Sequence, residues 1–177
     1  MRDVLGLRPI MGYNSWNDCA SNVSETHIKS VARGLITTGL AAKGYTLVDV
    51  DEGWLAGRSP DGLLYEDRER FPSGMRALGD WVHAQVVPQT GARLRYGLYH
   101  CRGPCQCATT MYAPKAFVKG IGAQGFEEAD ARWLVAQAAL ACTRPRRHHA
   151  HARHSSKRAV RSCRGTGHRL PEARLVL

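Results

Sequence analysis

Gly44-Tyr-Thr-Leu-Val-Asp-Val-Asp-Glu-Gly-Trp54 decides how this chain is read. An apolar run passes directly into acidic residues and a tryptophan. Asp49 and Asp51 alternate with Val48 and Val50, which puts both carboxylates on one face of a β-strand. Glu52 and Trp54 follow at the carboxyl end of that strand, the edge where parallel α/β proteins bind ligands. Carboxylates beside an aromatic ring suit a sugar, because the acids accept hydrogen bonds from hydroxyls and the ring covers an apolar face. A strand end carrying solvated acids is the plainer alternative at this point.

Outward from this strand the periodicity changes in a regular way. Before it, Ser24 is placed to cap a helix with Glu25 in its first turn. Ile28, Val31, Leu35 and Ile36 then recur at helical spacing. Gly39 and Gly44 mark the end of that helix and the turn into the strand Tyr45–Val50. Further upstream, Met11-Gly-Tyr-Asn-Ser-Trp16 reads as a strand running into a loop. Downstream, residues 55–71 read as a long polar loop with a turn at Asp61-Gly62. A second helix starts at Pro72-Ser-Gly-Met75, with Leu78, Trp81, Val82 and Val86 on its apolar side. Arg95-Tyr-Gly-Leu-Tyr-His100 is a third strand, residues 101–124 are a loop, and Phe126–Gln137 is a third helix. The order β-α-β-α-β-α, with long loops after strands, predicts the α/β class: βα units around a parallel sheet or barrel.

Charge divides the 177 residues in two. Residues 1–137 hold 15 Lys and Arg against 14 Asp and Glu, whereas residues 138–177 hold 10 against Glu172 alone. Most of the formal charge of +10 therefore sits in the second segment, which also carries five of the eight His. Residues 138–177 show no strand or amphipathic helix and are expected to be a disordered basic tail. Such a tail has the character of a polyanion-binding arm or of sequence translated in a shifted frame. No apolar stretch reaches the roughly 18–20 residues of a membrane span, and Met1–Pro9 lacks the apolar stretch of a secretory signal. Asn22-Val-Ser24 fits a glycosylation sequon, which matters only in a secreted chain. The spacing Cys101-x3-Cys105-x-Cys107 matches no standard zinc pattern, so loop thiols or a disulfide are expected there. The run His148-His-x-His-x-x-His154 lacks an ordered fold to make it a metal site. Neither a cofactor nor a metal is expected.

Among single residues, Trp81 and Trp133 are assigned to helix packing and His83 to a helix end. His27 is assigned to the surface of a first turn. His100, beside Tyr99 at a strand mouth, is a candidate pocket residue.

An ordered set of motifs resembles the α-galactosidase (melibiase) family of retaining glycoside hydrolases. These are Met11-Gly-Tyr-Asn-Ser-Trp-Asn17, Gly44-Tyr through Asp51-Glu-Gly-Trp54, Asp61-Gly-Leu, Arg70-Phe-Pro-Ser-Gly-Met75, Leu78 with Val82-His83, and Tyr96-Gly-Leu-Tyr99. Gly125-Phe-Glu-Glu-Ala-Asp-Ala131 is similar to the opening of the family's third helix. The resemblance covers residues 8–137.

It implies a (β/α)8 TIM barrel, of which about three βα units lie in residues 1–137. It also implies hydrolysis of terminal α-linked galactose with retention, by a nucleophile and an acid/base about 5–5.5 Å apart. The family's nucleophile lies in a Lys-x-Asp pattern on the fourth strand, and its acid/base Asp lies on a later strand. The residues after Gln137 contain no Lys-x-Asp and no Asp at all. No catalytic residue is therefore assigned, and the chain is expected to be inactive alone. The alternative is a non-catalytic carbohydrate-binding remnant, or a polyanion-binding protein.

Four residues carry over as sugar-binding positions. Trp16 matches the first-strand aromatic, Asp51 and Glu52 the acids of an Asp-Asp-Cys-Trp motif, and Tyr99 the tyrosine ending the third strand. Glu52 stands where the family has Asp. Gly53 stands where it has a Cys that pairs, in many members, with a Cys of the first βα loop, so Cys19 is expected to lack that partner. Cys107 resembles a third-loop Cys whose usual partner follows the nucleophile. The expected partner is an α-galactoside, with no specific nucleic acid and no membrane. The family is commonly secreted or lysosomal, yet no signal is recognised here, so localisation is left open, as is the choice between galactose and N-acetylgalactosamine. Three units of eight would leave two open sheet edges and an uncovered barrel interior, which predicts poor folding and aggregation.

Overall fold

The computed structural model describes residues 9–107 and 121–138. Three parallel strands form its centre: β1 (Gly12–Asn14), β2 (Leu47–Val50) and β5 (Arg95–Leu98), in the order β1-β2-β5. The strand quoted first lies between the other two, which explains why its four residues are all buried. A strand covered on both faces reads as a continuous apolar run broken only by residues with a special task.

Helices α2 (Glu25–Thr37), α3 (Met75–Ala84) and α4 (Glu127–Ala138) follow the first, second and third strands respectively. This is the α/β architecture of a partial (β/α)8 barrel, with three βα units and no closed barrel among the described residues. Ser24 caps α2 as expected, its Oγ accepting the His27 N–H at 3.3 Å. Ile28, Ala32 and Leu35 of α2 pack on the same core as Val48 and Val50 of β2. Leu78 and Val82 of α3, with Leu134 of α4, continue that core around Tyr96 and Leu98. Each such large side chain, fully buried, contributes about 1.5–3 kcal/mol of transfer free energy.

Four expectations are corrected. The loop expected over 55–71 contains an antiparallel hairpin, β3 (Leu55–Arg58) with β4 (Leu64–Glu66). Its turn is the Asp61-Gly62 signal, with Gly62 at φ +82°. At four and three residues the strands are too short to show alternation, and only Leu64 and Gly57 are buried in them. Trp16–Cys19 forms a short helix, α1, rather than a loop. Val86 does not belong to the apolar side of α3: the helix ends at Ala84, and Val86 is exposed. His27 is half-buried rather than on an open surface, because its Nε2 reaches the Tyr13 hydroxyl at 2.8 Å and Asp18 at 3.0 Å. The expected basic tail, apart from Ala138, and the His148–His154 run lie outside the described residues.

The helix tryptophans pack as expected. Trp133 stacks on the fully buried Trp54, with ring centroids 5.2 Å apart. Trp81 lies under Lys29 and Arg33 of α2. His83 is buried near the end of α3, edge-on to Tyr96, and burial holds its pKa below the usual imidazole value.

Candidate functional site

The register of the parallel strands builds the site. Asn14 pairs with Asp49, and Asp49 with Gly97, so these three form one row across the sheet. Val48 and Tyr96, one position earlier, belong to the helix-side core, which leaves the row facing the opposite side. Gly97 has a steric role there: a Cβ at this position would lie 2.6 Å from Asp49 Oδ1. Its absence lets the Asp49 carboxylate rest over β5.

Asn14 joins the two acids that the strand alternation placed on one face. Its Nδ2 donates to Asp49 Oδ2 and to Asp51 Oδ2, each at 2.8 Å. An amide nitrogen carries two hydrogens, one for each carboxylate. The Asn14 Oδ1 accepts the Trp16 N–H at 3.0 Å and so also sets the start of α1. The motif Met11–Asn17 contains Asn14 without marking it as a site residue; its signal is a polar side chain two residues before the strand-end aromatic.

Two residues beyond the row stand Trp16, Asp51 and Tyr99, three of the four expected sugar-binding positions. Asp51 is buried and tightly held. Its N–H donates to Ser15 Oγ at 3.0 Å, and its Oδ1 accepts the Glu52 N–H at 2.8 Å. Each carboxylate oxygen retains capacity for a further hydrogen bond, as from a sugar hydroxyl. Tyr99 is buried. Its N–H donates to Val50 O at 2.8 Å, and its carbonyl accepts the Trp54 indole N–H at 2.9 Å. Trp16 is half-buried at the first turn of α1.

Glu52 faces a different neighbour. It is 1% exposed, and its Oε1 accepts the Cys107 N–H at 2.8 Å from the loop after β5. Cys101 and Cys107 lie beside it, their sulfurs 3.9 Å apart. Burial, then the charges of Cys101 and Glu52, push the Cys107 thiol up to about 12.

The expected disulfide is not formed: no bond joins any two of Cys19, Cys101, Cys105 and Cys107. An S–S bond is about 2.05 Å long, well short of the separation here. Cys19 donates instead to Ser15 O at 3.3 Å. Gly53 fits closely at the family's usual Cys position. Its φ is +110°, and a Cβ there would lie 2.3 Å from Ser21 O.

His100 is a buried brace. Its Nε2 meets Asp130 Oδ2 at 3.0 Å, and its Nδ1 meets the Gln106 amide at 3.1 Å. Burial lowers its pKa, only partly opposed by Asp130. Asp130 also takes a bidentate pair from Arg58 at 2.6 and 2.7 Å. Arg58 donates further to the carbonyls of Gly62 and Gly122 and covers the Phe126 ring at 3.9 Å. The hairpin, the residues after β5 and α4 are thereby tied together. No local sequence pattern marks this network, because Arg58 and Asp130 lie 72 residues apart.

A family model described as Alpha galactosidase A matches residues 9–156, running past Gln137. Alpha-galactosidase A of Cellvibrio japonicus is 38% identical over 106 residues, which cover 60% of this chain and 24% of that protein. Alpha-galactosidase 2 of Arabidopsis thaliana is 36% identical over 133 residues, 75% of this chain and 30% of that protein. The structure of the Saccharomyces cerevisiae α-galactosidase with raffinose superposes with a TM-score of 0.61 at 31% identity. The match covers 77% of this chain and 26% of that one. The chain thus spans less than a third of the length of these relatives.

Proposed function

The chain belongs to the alpha galactosidase A family, and from that premise we propose that it supplies the first part of the sugar-binding wall of a retaining α-galactosidase. Asp51 accepts hydrogen bonds from galactose hydroxyls, Trp16 and Tyr99 bound the sugar, and Glu52 holds the loop that closes beside it. The observation that carries this reading is the Asn14 side chain bridging Asp49 and Asp51 at the carboxyl ends of parallel strands. That bridge fixes Asp51 in place before ligand arrives, which reduces the ordering entropy of binding.

The domain division follows from the same reading. Residues 1–137 form the α-galactosidase-like part, and residues 138–177 form a separate basic segment. Hydrolysis with retention needs two carboxyls in a fixed pair. With no Lys-x-Asp and no Asp after Gln137, these residues provide binding groups rather than the catalytic pair. Whole-enzyme activity on terminal α-linked galactose belongs to a complete barrel. The test is retention of the full chain on immobilised galactose. Asp51→Asn and Asp51→Ala, each checked for native circular dichroism, are expected to lose it. Undiminished retention of both folded variants refutes the assignment.

A further inference from the structure

We propose that Glu52, Cys101 and Cys107 form a binding site for a thiophilic divalent cation such as zinc. One carboxylate oxygen and the two sulfurs lie within 4.8 Å of one another. The carboxylate is buried at the end of β2, whereas Cys107 is exposed and gives the cation access. This goes beyond the sugar-binding reading and stands independently of it.

The distances favour coordination over a disulfide. Two thiolates bound tetrahedrally at about 2.3 Å from zinc lie about 3.8 Å apart. The observed separation is 3.9 Å. A disulfide instead needs the sulfurs to approach to about 2.05 Å. Cys101 and Cys107 flank one short loop, and the Glu52 Oε1 already holds the Cys107 N–H. The third ligand therefore comes from just beyond β2, 55 residues away in sequence, which is why cysteine spacing alone matches no zinc pattern. Cys105, the middle thiol of the triplet, is buried and does not belong to the group.

Zinc prefers sulfur and nitrogen ligands but accepts carboxylate oxygen. Three protein ligands leave a fourth position for water. As each Zn–S bond forms, the thiol proton passes to solvent, so no electrons are transferred and no oxidant is required.

The test is a cobalt(II) titration of the full reduced chain under a non-thiol reductant, followed by zinc displacement. One equivalent is expected to give a thiolate-to-cobalt charge-transfer band and intense tetrahedral d–d bands. Both should vanish in Cys101→Ser and in Cys107→Ser. Glu52→Gln is expected to weaken binding by at least the roughly tenfold that loss of an outer-sphere partner alone produces. A second measurement needs no variant: zinc should protect Cys101 and Cys107 of the wild-type chain from alkylation, read by peptide mass spectrometry. Cobalt spectra without a thiolate band indicate binding only by the His148–His154 run and overturn the proposal. So does alkylation of both thiols at the same rate with and without zinc. Galactose retention is measured separately, so failure of either reading leaves the other standing or falling on its own result.

Discussion

Replacing Arg58 by Met should strand the Asp130 carboxylate. Arg58 and Asp130 have side-chain exposures of 7% and 2%, and the guanidinium supplies two charge-assisted hydrogen bonds at 2.6 and 2.7 Å. Breaking a buried pair by removing one partner costs about 3–5 kcal/mol. His100, whose Nε2 touches Asp130 Oδ2, is then the group left to supply positive charge beside that carboxylate. A proton taken up by His100 on folding stabilises the variant, so its deficit relative to wild type should shrink as pH falls. The assay is urea unfolding followed by fluorescence of the stacked Trp54–Trp133 pair, at concentrations where light scattering is flat. Arg58→Met combined with Asp130→Asn removes the stranded charge and should recover about 2 kcal/mol relative to Arg58→Met alone. A deficit below about 1 kcal/mol at pH 7, or a double variant no more stable than the single, would refute the argument that this pair behaves as a buried charge pair.

Other outcomes follow from particular contacts. Gly53→Cys, which restores the family's usual residue, should lower the melting temperature, because φ +110° strains any L side chain by about 1–3 kcal/mol and the Cβ meets Ser21 O at 2.3 Å. Acidification should destabilise the fold in two stages, read as urea midpoints against pH. Burial lowers the pKa values of His83 and His100, so the unfolded chain binds more protons and stability falls as pH drops through about 6.5. For Glu25, burial acts upward, but hydrogen bonds from Lys29 and Ser73 outweigh it and hold the group below its usual value. For Asp67, Arg70 outweighs burial in the same way. Their contributions are present above about pH 4 and are lost as pH falls through the lowered folded-state values. Strands β1 and β5 each have one neighbour among the described residues, so static light scattering should show association rising with protein concentration. Scattering that stays flat over a hundredfold range in concentration would contradict it.

The α/β class was legible because it is written in local periods. Val48 and Val50 alternate with Asp49 and Asp51 in a strand, and Ile28, Val31, Leu35 and Ile36 recur at helical spacing. These patterns depend on backbone geometry within a few residues, so a sequence carries them without knowledge of any partner. The same local reading put Asp51 and Glu52 at a strand end, whereas Trp16 and Tyr99 stand out as site positions only through the family resemblance.

Tertiary structure alone decided which of these groups meet. Asn14 lies 37 residues from Asp51, Arg58 lies 72 from Asp130, and Glu52 lies 55 from Cys107. No sequence period links such distant positions. They come together because parallel strands in a particular register, and a hairpin laid against the last helix, bring buried polar groups within reach of one another. Once water is excluded, each of those groups requires a partner.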